Sequence, residues 1–376
     1  MKKLMVIAVL LAFMTGSAYA ADWNFYGSAR ISTFYSKIDI SPFAGGADTS
    51  NYEQSLNGNA RIGANVKVSD ELTGEFEYGT LSGVADVRIL WGEWNFGAGS
   101  LGVGKNYTPL LFPYSNQVYN LNAFNKGDHN MSTFGMLYGS RKAMVRLKFG
   151  EFQIAAVEPK LLIESWSAAP LAQPQTEVKI PSIQAKYKYD FDMGHVSVAA
   201  GYQTFDVVSG ANSYSVDSWI LGMGGRLDLG GFYFKGNVWG GQNVGNMADI
   251  LVSGSLWSTR ANAGSGNFDG AGWGLARYSD GTRAKKELID NDAMAGLLVA
   301  GYKIREGLYL ETGYGYVSTE LDQSGSTKDD AETYYLQATI FLAPGVFLTP
   351  EIGRINGKDD TQIDVTYGGI KWQINF

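Results

Sequence analysis

The chain has 376 residues, no cysteine, two histidines and a formal charge of −7. Without cysteine there is no disulfide, no thiolate metal site and no cysteine nucleophile, and an acidic balance argues against a nucleic-acid partner, which needs a basic footprint. Glycine is frequent at 48 residues and aromatics reach 13%, while charged residues are only 18%, below the usual quarter.

Residues 1–20 read as a secretory signal peptide. Lys2 and Lys3 form a positive start, 4–14 is an apolar run, and Ala18-Tyr19-Ala20 is a small-x-small cleavage site. Losing the two lysines leaves 28 basic against 37 acidic residues, a charge of −9. The run is too short to span a bilayer as a helix, and no later run is long enough either.

From residue 21 onward, apolar and polar residues alternate with period two, the pattern of strands with one face in each environment. The pattern predicts sixteen strands, at 23–36, 55–69, 72–80, 86–96, 100–107, 133–149, 151–158, 182–190, 195–206, 216–228, 232–241, 292–303, 308–319, 332–343, 346–355 and 362–376. The last shows it best: Ile370, Trp372, Ile374 and Phe376 alternate with Lys371, Gln373 and Asn375. Counts of 14 or 18 strands are the alternatives. Short turns alternate with long connections at 37–54, 108–132, 159–181, 207–215, 242–291, 320–331 and 356–361, with one short exception at 81–85. That rhythm is the pattern of an outer-membrane β-barrel. The expectation is therefore an all-β fold, a transmembrane antiparallel β-barrel spanning 21–376 as one domain. In lipid every backbone polar group must be paired within the protein, so the sheet must close. Outward residues are then expected to be apolar and inward ones polar.

The first strand Asn24-Phe25-Tyr26-Gly27-Ser28-Ala29-Arg30, the sixteen strands, the signal peptide and the ending Trp372-Gln373-Ile374-Asn375-Phe376 together resemble a bacterial outer-membrane general porin. Within porins the texture is most similar to the homotrimeric porins of sulfate-reducing deltaproteobacteria. The resemblance implies a water-filled channel for passive diffusion of small hydrophilic solutes and ions, a homotrimer in the outer membrane, lipopolysaccharide at the outer surface, and no cofactor. It also implies that Trp372, Ile374 and Phe376 form the C-terminal signal read by the barrel assembly machinery. Two porin features are missing. The third loop lacks a Pro-Glu-Phe-Gly-Gly motif, and the loop that would latch a neighbouring subunit is reduced to 81–85.

By the same resemblance the third long loop, 108–132, folds into the lumen as the constriction. It supplies Tyr114, Tyr119, Lys126, Asp128 and His129, with Asn116 and two bending prolines, Pro109 and Pro113. Porins place basic residues on the wall opposite this loop. Strand parity turns Arg30, Arg61, Arg88 and Arg146 inward, since an arginine facing lipid near the midplane costs roughly 2–4 kcal/mol. Such a ring opposite Asp128 would set a transverse field and a weak anion bias. The 242–291 loop either caps the mouth or dips inward and shares this role. Small residues at Gly27, Ala29, Gly58, Ala60 and Ala64 suggest an outward face for subunit packing.

Rival functions are weaker. A Gly99-to-Lys105 stretch has phosphate-loop spacing but ends in Asn106 and precedes no helix. His129 and His195 have no Gly-x-Ser-x-Gly nucleophile beside them, so an enzyme is not expected; His195 reads as a solvated turn residue. A substrate-specific channel would use Tyr107, Tyr114 and Tyr119 as an aromatic slide. A structural barrel or adhesin would have a plugged lumen.

Overall fold

The computed structural model describes residues 21–40, 48–80, 85–120, 128, 130–166, 175–209, 211–250, 274–279, 287–324, 326, 328–358 and 363–376. One sheet of 18 hydrogen-bonded segments contains two interrupted strands, so the chain crosses it sixteen times. The strands are β1 Asp22–Ile40, β2 Thr49–Leu56 with Arg61–Lys67, β3 Leu72–Gly79, β4 Asp86–Asn95, β5 Ser100–Tyr107, β6 Arg141–Phe149, β7 Phe152–Val157, β8 Gln175–Glu177 with Ser182–Phe191, β9 Gly194–Ser209, β10 Asn212–Leu229, β11 Phe232–Gln242, β12 Asn291–Arg305, β13 Leu308–Leu321, β14 Asp329–Ala343, β15 Val346–Gly357 and β16 Ile363–Asn375. Every neighbour pair in the sheet is antiparallel. β1 closes the barrel on β16, in a register running from Ser28–Asn375 to Ile40–Ile363.

The outer surface explains the composition. Leu298, Leu90 and Ile352 point outward and are 62%, 59% and 59% exposed. A continuous apolar belt of this kind suits hydrocarbon and not water. Phe376 closes the seam: its N–H and carbonyl pair with Gly27, and its ring lies where a Gly27 side chain would stand.

Three expectations need correction. The strand predicted at 133–149 begins only at Arg141, because 133–140 is the returning arm of the preceding loop. The inward faces are not uniformly polar. Ile220, Leu297, Val299 and Val317 point inward and are buried, because loop side chains cover them. The small-residue face is mostly closed within one chain: of Gly27, Ala29, Gly58, Ala60 and Ala64, only Ala29 is exposed. The signal peptide, 1–20, lies outside the described residues.

Candidate constriction site

The connection from β5 to β6 enters the barrel. Its outgoing arm lays Leu110 against Gly201 and Phe112 against Gly222, both on inward faces. Lys186 of β8 donates to the Leu111 carbonyl (2.6 Å) and sits 4.9 Å above the Phe112 ring. Tyr114 reaches His195 near a short turn, with its hydroxyl 3.1 Å from Nε2. His195 is therefore a partner of the loop and not a free turn residue.

Two wall carboxylates then hold the loop's backbone. Glu311 of β13 accepts from the Asn116 N–H (3.1 Å) and side chain (2.8 Å), and from Tyr335 (2.6 Å), Tyr233 (2.9 Å) and Lys235 (2.9 Å). Glu351 of β15 accepts from the Val118 and Tyr119 N–H groups at 2.7 and 2.9 Å. With its amide oriented to satisfy its neighbours, Gln337 also donates to Glu351 at 2.8 Å. Between them Gln117 donates to Thr333 and Tyr367, both at 3.0 Å. Tyr119 stacks on Tyr367 with ring centroids 4.0 Å apart. These interactions satisfy backbone donors that water would otherwise have to reach.

The tip returns at Asp128, whose side chain is nearly covered. Its carboxylate meets Arg30 at 2.9 Å, Lys371 at 3.1 Å and the Asn57 amide at 3.1 Å. Burial alone would raise its pKa. The charges of Lys371 and Arg30, with hydrogen bonds from Lys371 and Asn57, outweigh burial and hold it below the usual carboxylate range. Asn57 reaches the tip because β2 breaks at 57–60, a step pinned by Asn57 N–H to the Arg30 carbonyl and Ala60 N–H to the Asn57 carbonyl.

The returning arm packs Met131, Phe134 and Leu137 inside the barrel, all at most 1% exposed. Gly135 has φ +120° and presses on the Gly296 carbonyl, a conformation and an approach that both exclude a side chain. Its carbonyl accepts from Asn237 (2.7 Å) and Trp239 (3.0 Å). The 242–291 connection also turns inward at its described start, 243–250. Its 244–246 turn is buried, and the Asp249 N–H donates to the Tyr138 carbonyl at 2.8 Å. Near it Lys142 and Lys160 donate to the carbonyls of Asn246 and Gly245.

The four arginines all face inward. Arg88 does so for a reason that parity misses. A register shift in the β3–β4 pairing, where Glu77 faces Ile89 and Tyr78 faces Val87, inserts Arg88 as an extra residue. Strict alternation with Leu90 and Trp94 would have turned it outward. Arg88 Nε meets Glu77 at 2.5 Å, and Arg61 Nε meets the same carboxylate at 3.4 Å. Tyr26 also donates to Glu77 at 3.1 Å. Arg88 further reaches Asn59 (3.1 Å) and Tyr107 (3.4 Å). Arg30, Arg61 and Arg88 lie close enough for their charges to interact. Arg146 lies apart, paired with Glu93 at 3.1 Å over the Trp91 ring.

The geometry therefore differs from a ring facing a distant acid. Asp128 touches the wall, so the field across a gap is replaced by a contact pair. Tyr114 and Tyr119 are 5% and 6% exposed, which removes them from an aromatic slide. Lys126 and His129 lie outside the described residues. Sequence reasoning missed Lys371, Glu77, Glu311, Glu351, Asn57 and Asn59. The first four are charged residues at inward parity, a signal that was available. The two asparagines lie in a strand break with no periodic signal.

No protein-family model matches the chain, and no curated protein resembles it in sequence. Solved structures share its fold. The outer-membrane channel DcaP of Acinetobacter baumannii aligns at TM-score 0.68 with 13% identity, covering 95% of this chain and 97% of that one. OmpT of Vibrio cholerae, in a trimer form, aligns at 0.56 with 15% identity over 95% and 100%. An anion-selective porin from Comamonas acidovorans aligns at 0.55 with 13% identity over 94% and 100%. At these identities the likeness concerns the fold, which is that of the sixteen-strand porin barrel.

Proposed function

We propose that the protein is an outer-membrane porin, a water-filled channel for passive diffusion of small hydrophilic solutes and ions, with a weak anion bias. The observation that carries this reading is the closed barrel with an apolar belt, crossed inside by a loop tied to the wall at Asp128. The arrangement binds and narrows, and among the described residues no Gly-x-Ser-x-Gly nucleophile stands beside His195, which supports a channel over a catalyst. The chain would be exported by residues 1–20 and span the outer membrane through 21–376.

The anion bias follows from the wall. Arg30, Arg61, Arg88 and Lys371 stand there against Glu75, Glu77 and Asp128, a local excess of one positive charge despite the acidic chain. The fold relative from Comamonas is described as anion-selective. A homotrimer is supported by the Vibrio relative's trimer form. Lipopolysaccharide would meet outward tyrosine–acid pairs such as Tyr202–Asp217 (2.8 Å) and Tyr314–Glu332 (2.8 Å). The exposed Trp372, Ile374 and Phe376 would be read by the barrel assembly machinery.

Liposome swelling with sugars of graded size tests the reading. Rates should fall smoothly with solute size. A single preferred sugar would favour a substrate-specific channel instead, and no swelling with any solute would favour a plugged structural barrel or adhesin.

A further inference from the structure

Next to the contact at Asp128, on the side of the long loops, the inward loop and the wall enclose a partly open cavity of about 330 Å³. The wall supplies Ser32 and Phe34 of β1 with Glu53 and Ser55 of β2. Ser32 stands opposite Ser55, and Phe34 opposite Glu53, in the register of the two strands. Directly opposed residues share a face, so all four side chains lie on the inner one. The loop supplies Val118 and Tyr119. The cavity therefore exists only while the loop is docked, with Val118 and Tyr119 held by Glu351 and the tip held at Asp128.

Its chemistry is one-sided. Of the lining residues only Glu53 carries a charge. Glu53 is exposed, and no cation pairs with it among the described residues. Arg30 precedes Ser32 by two positions on the same face but turns away, with Nε on Ser28 and a terminal nitrogen on Asp128. The Ser32 and Ser55 hydroxyls add acceptors. Phe34, Val118 and Tyr119 are buried and supply the apolar part, with the two ring centroids 5.3 Å apart. A carboxylate and two hydroxyls beside aromatic rings suit a primary ammonium group on a short apolar stem. The three N–H donors meet the oxygens, and the stem lies against the rings and Val118.

We propose that this cavity is a binding site for small primary alkylammonium ions, and that its occupant locks the loop against the wall. The site adjoins the existing tie. Ser32 accepts from the Asn57 amide at 3.2 Å, and the same amide donates to Asp128 at 3.1 Å. A ligand held between Glu53 and Tyr119 binds only the docked loop, so it stabilises docking by mass action. Binding requires the folded barrel and not conduction, so it stands or falls separately from the porin reading.

The test titrates n-butylammonium into the full barrel in detergent micelles, at neutral pH and constant ionic strength, by isothermal titration calorimetry. 1-Butanol and butyrate serve as controls. Saturable binding in the millimolar range is expected for a ligand of about five heavy atoms in a partly open site. Glu53→Gln changes an exposed residue, preserves the micelle background and should weaken binding roughly tenfold. Ser55→Leu fills the cavity without touching its charge and should do at least as much. Butyrate should not bind. Proteolysis of the loop should slow with n-butylammonium in the parent and not in Glu53→Gln. Equal affinity in either variant, 1-butanol binding as tightly as the amine, or no saturable binding to the parent overturns the site. Saturable binding that leaves loop proteolysis unchanged overturns the lock.

Discussion

Asp128→Asn is the most informative single change. The substitution keeps the shape of the side chain and removes the charge that Arg30 and Lys371 share at 2.9 and 3.1 Å. All three side chains are nearly buried, at 10%, 12% and 9% exposure for Arg30, Lys371 and Asp128. Removing one partner of a buried pair costs about 3–5 kcal/mol, because the other charges stay buried and unpaired. The remaining amide still accepts one hydrogen bond, so the lower end, about 3 kcal/mol, is the better figure. At about 1.4 kcal/mol per decade, the detached population of the loop tip should rise by roughly a hundredfold. Two positive charges would then face the passage without a counter-charge. Single-channel recording in a planar bilayer should show noisier current, altered conductance and a reversal potential shifted toward anions in a salt gradient. A conductance and reversal potential identical to the parent would refute the role assigned to this contact.

The pH dependence has a fixed sign. Because the Asp128 pKa is depressed in the folded protein, its contribution is fully present above the ordinary value of 3.8 and is lost as pH falls through the lower folded value. Release of the tip should therefore add current noise only in acid below 3.8, and Asp128→Asn should lack that acid-dependent rise; an acid-dependent rise of equal size in Asp128→Asn contradicts the assignment. Glu351→Gln should loosen the Val118–Tyr119 stretch by about 1–3 kcal/mol, since an amide cannot match a carboxylate accepting two backbone donors, seen as faster proteolysis of the loop in detergent. Gly27→Leu should displace the Phe376 ring that occupies its side-chain space, slowing barrel folding in a gel-shift assay. Tyr367→Phe should cost about 1 kcal/mol through the lost bond from Gln117, with little effect on conductance.

Strand number and facing were legible because alternation is a strong local signal wherever one side meets lipid. Val145, Leu147 and Phe149, or Tyr334 and Leu336, show their orientation without any tertiary information. The failures have a common origin. The returning arm at 133–140 was absorbed into a strand because Phe134, Met136 and Leu137 are apolar, and apolarity there serves the lumen packing and not the lipid. The apolar inward face of β12, with Ala295, Leu297 and Val299, is likewise unreadable until the loop that covers it is placed. Arg88 was assigned the correct side although a bulge, not parity, puts it there. Of the site itself, Arg30 and Asp128 were visible as candidates, but their direct contact was not, since it joins residues 98 positions apart. Lys371 had the right parity and was passed over because nothing local marks which inward cation meets the loop.

A porin must conduct with the loop in place. The direct measurement is current through the purified, unmodified protein in a planar bilayer at neutral pH. Pores should insert stepwise, with steady conductance and a small anion preference. Folded barrels that insert and remain electrically silent would contradict the porin reading.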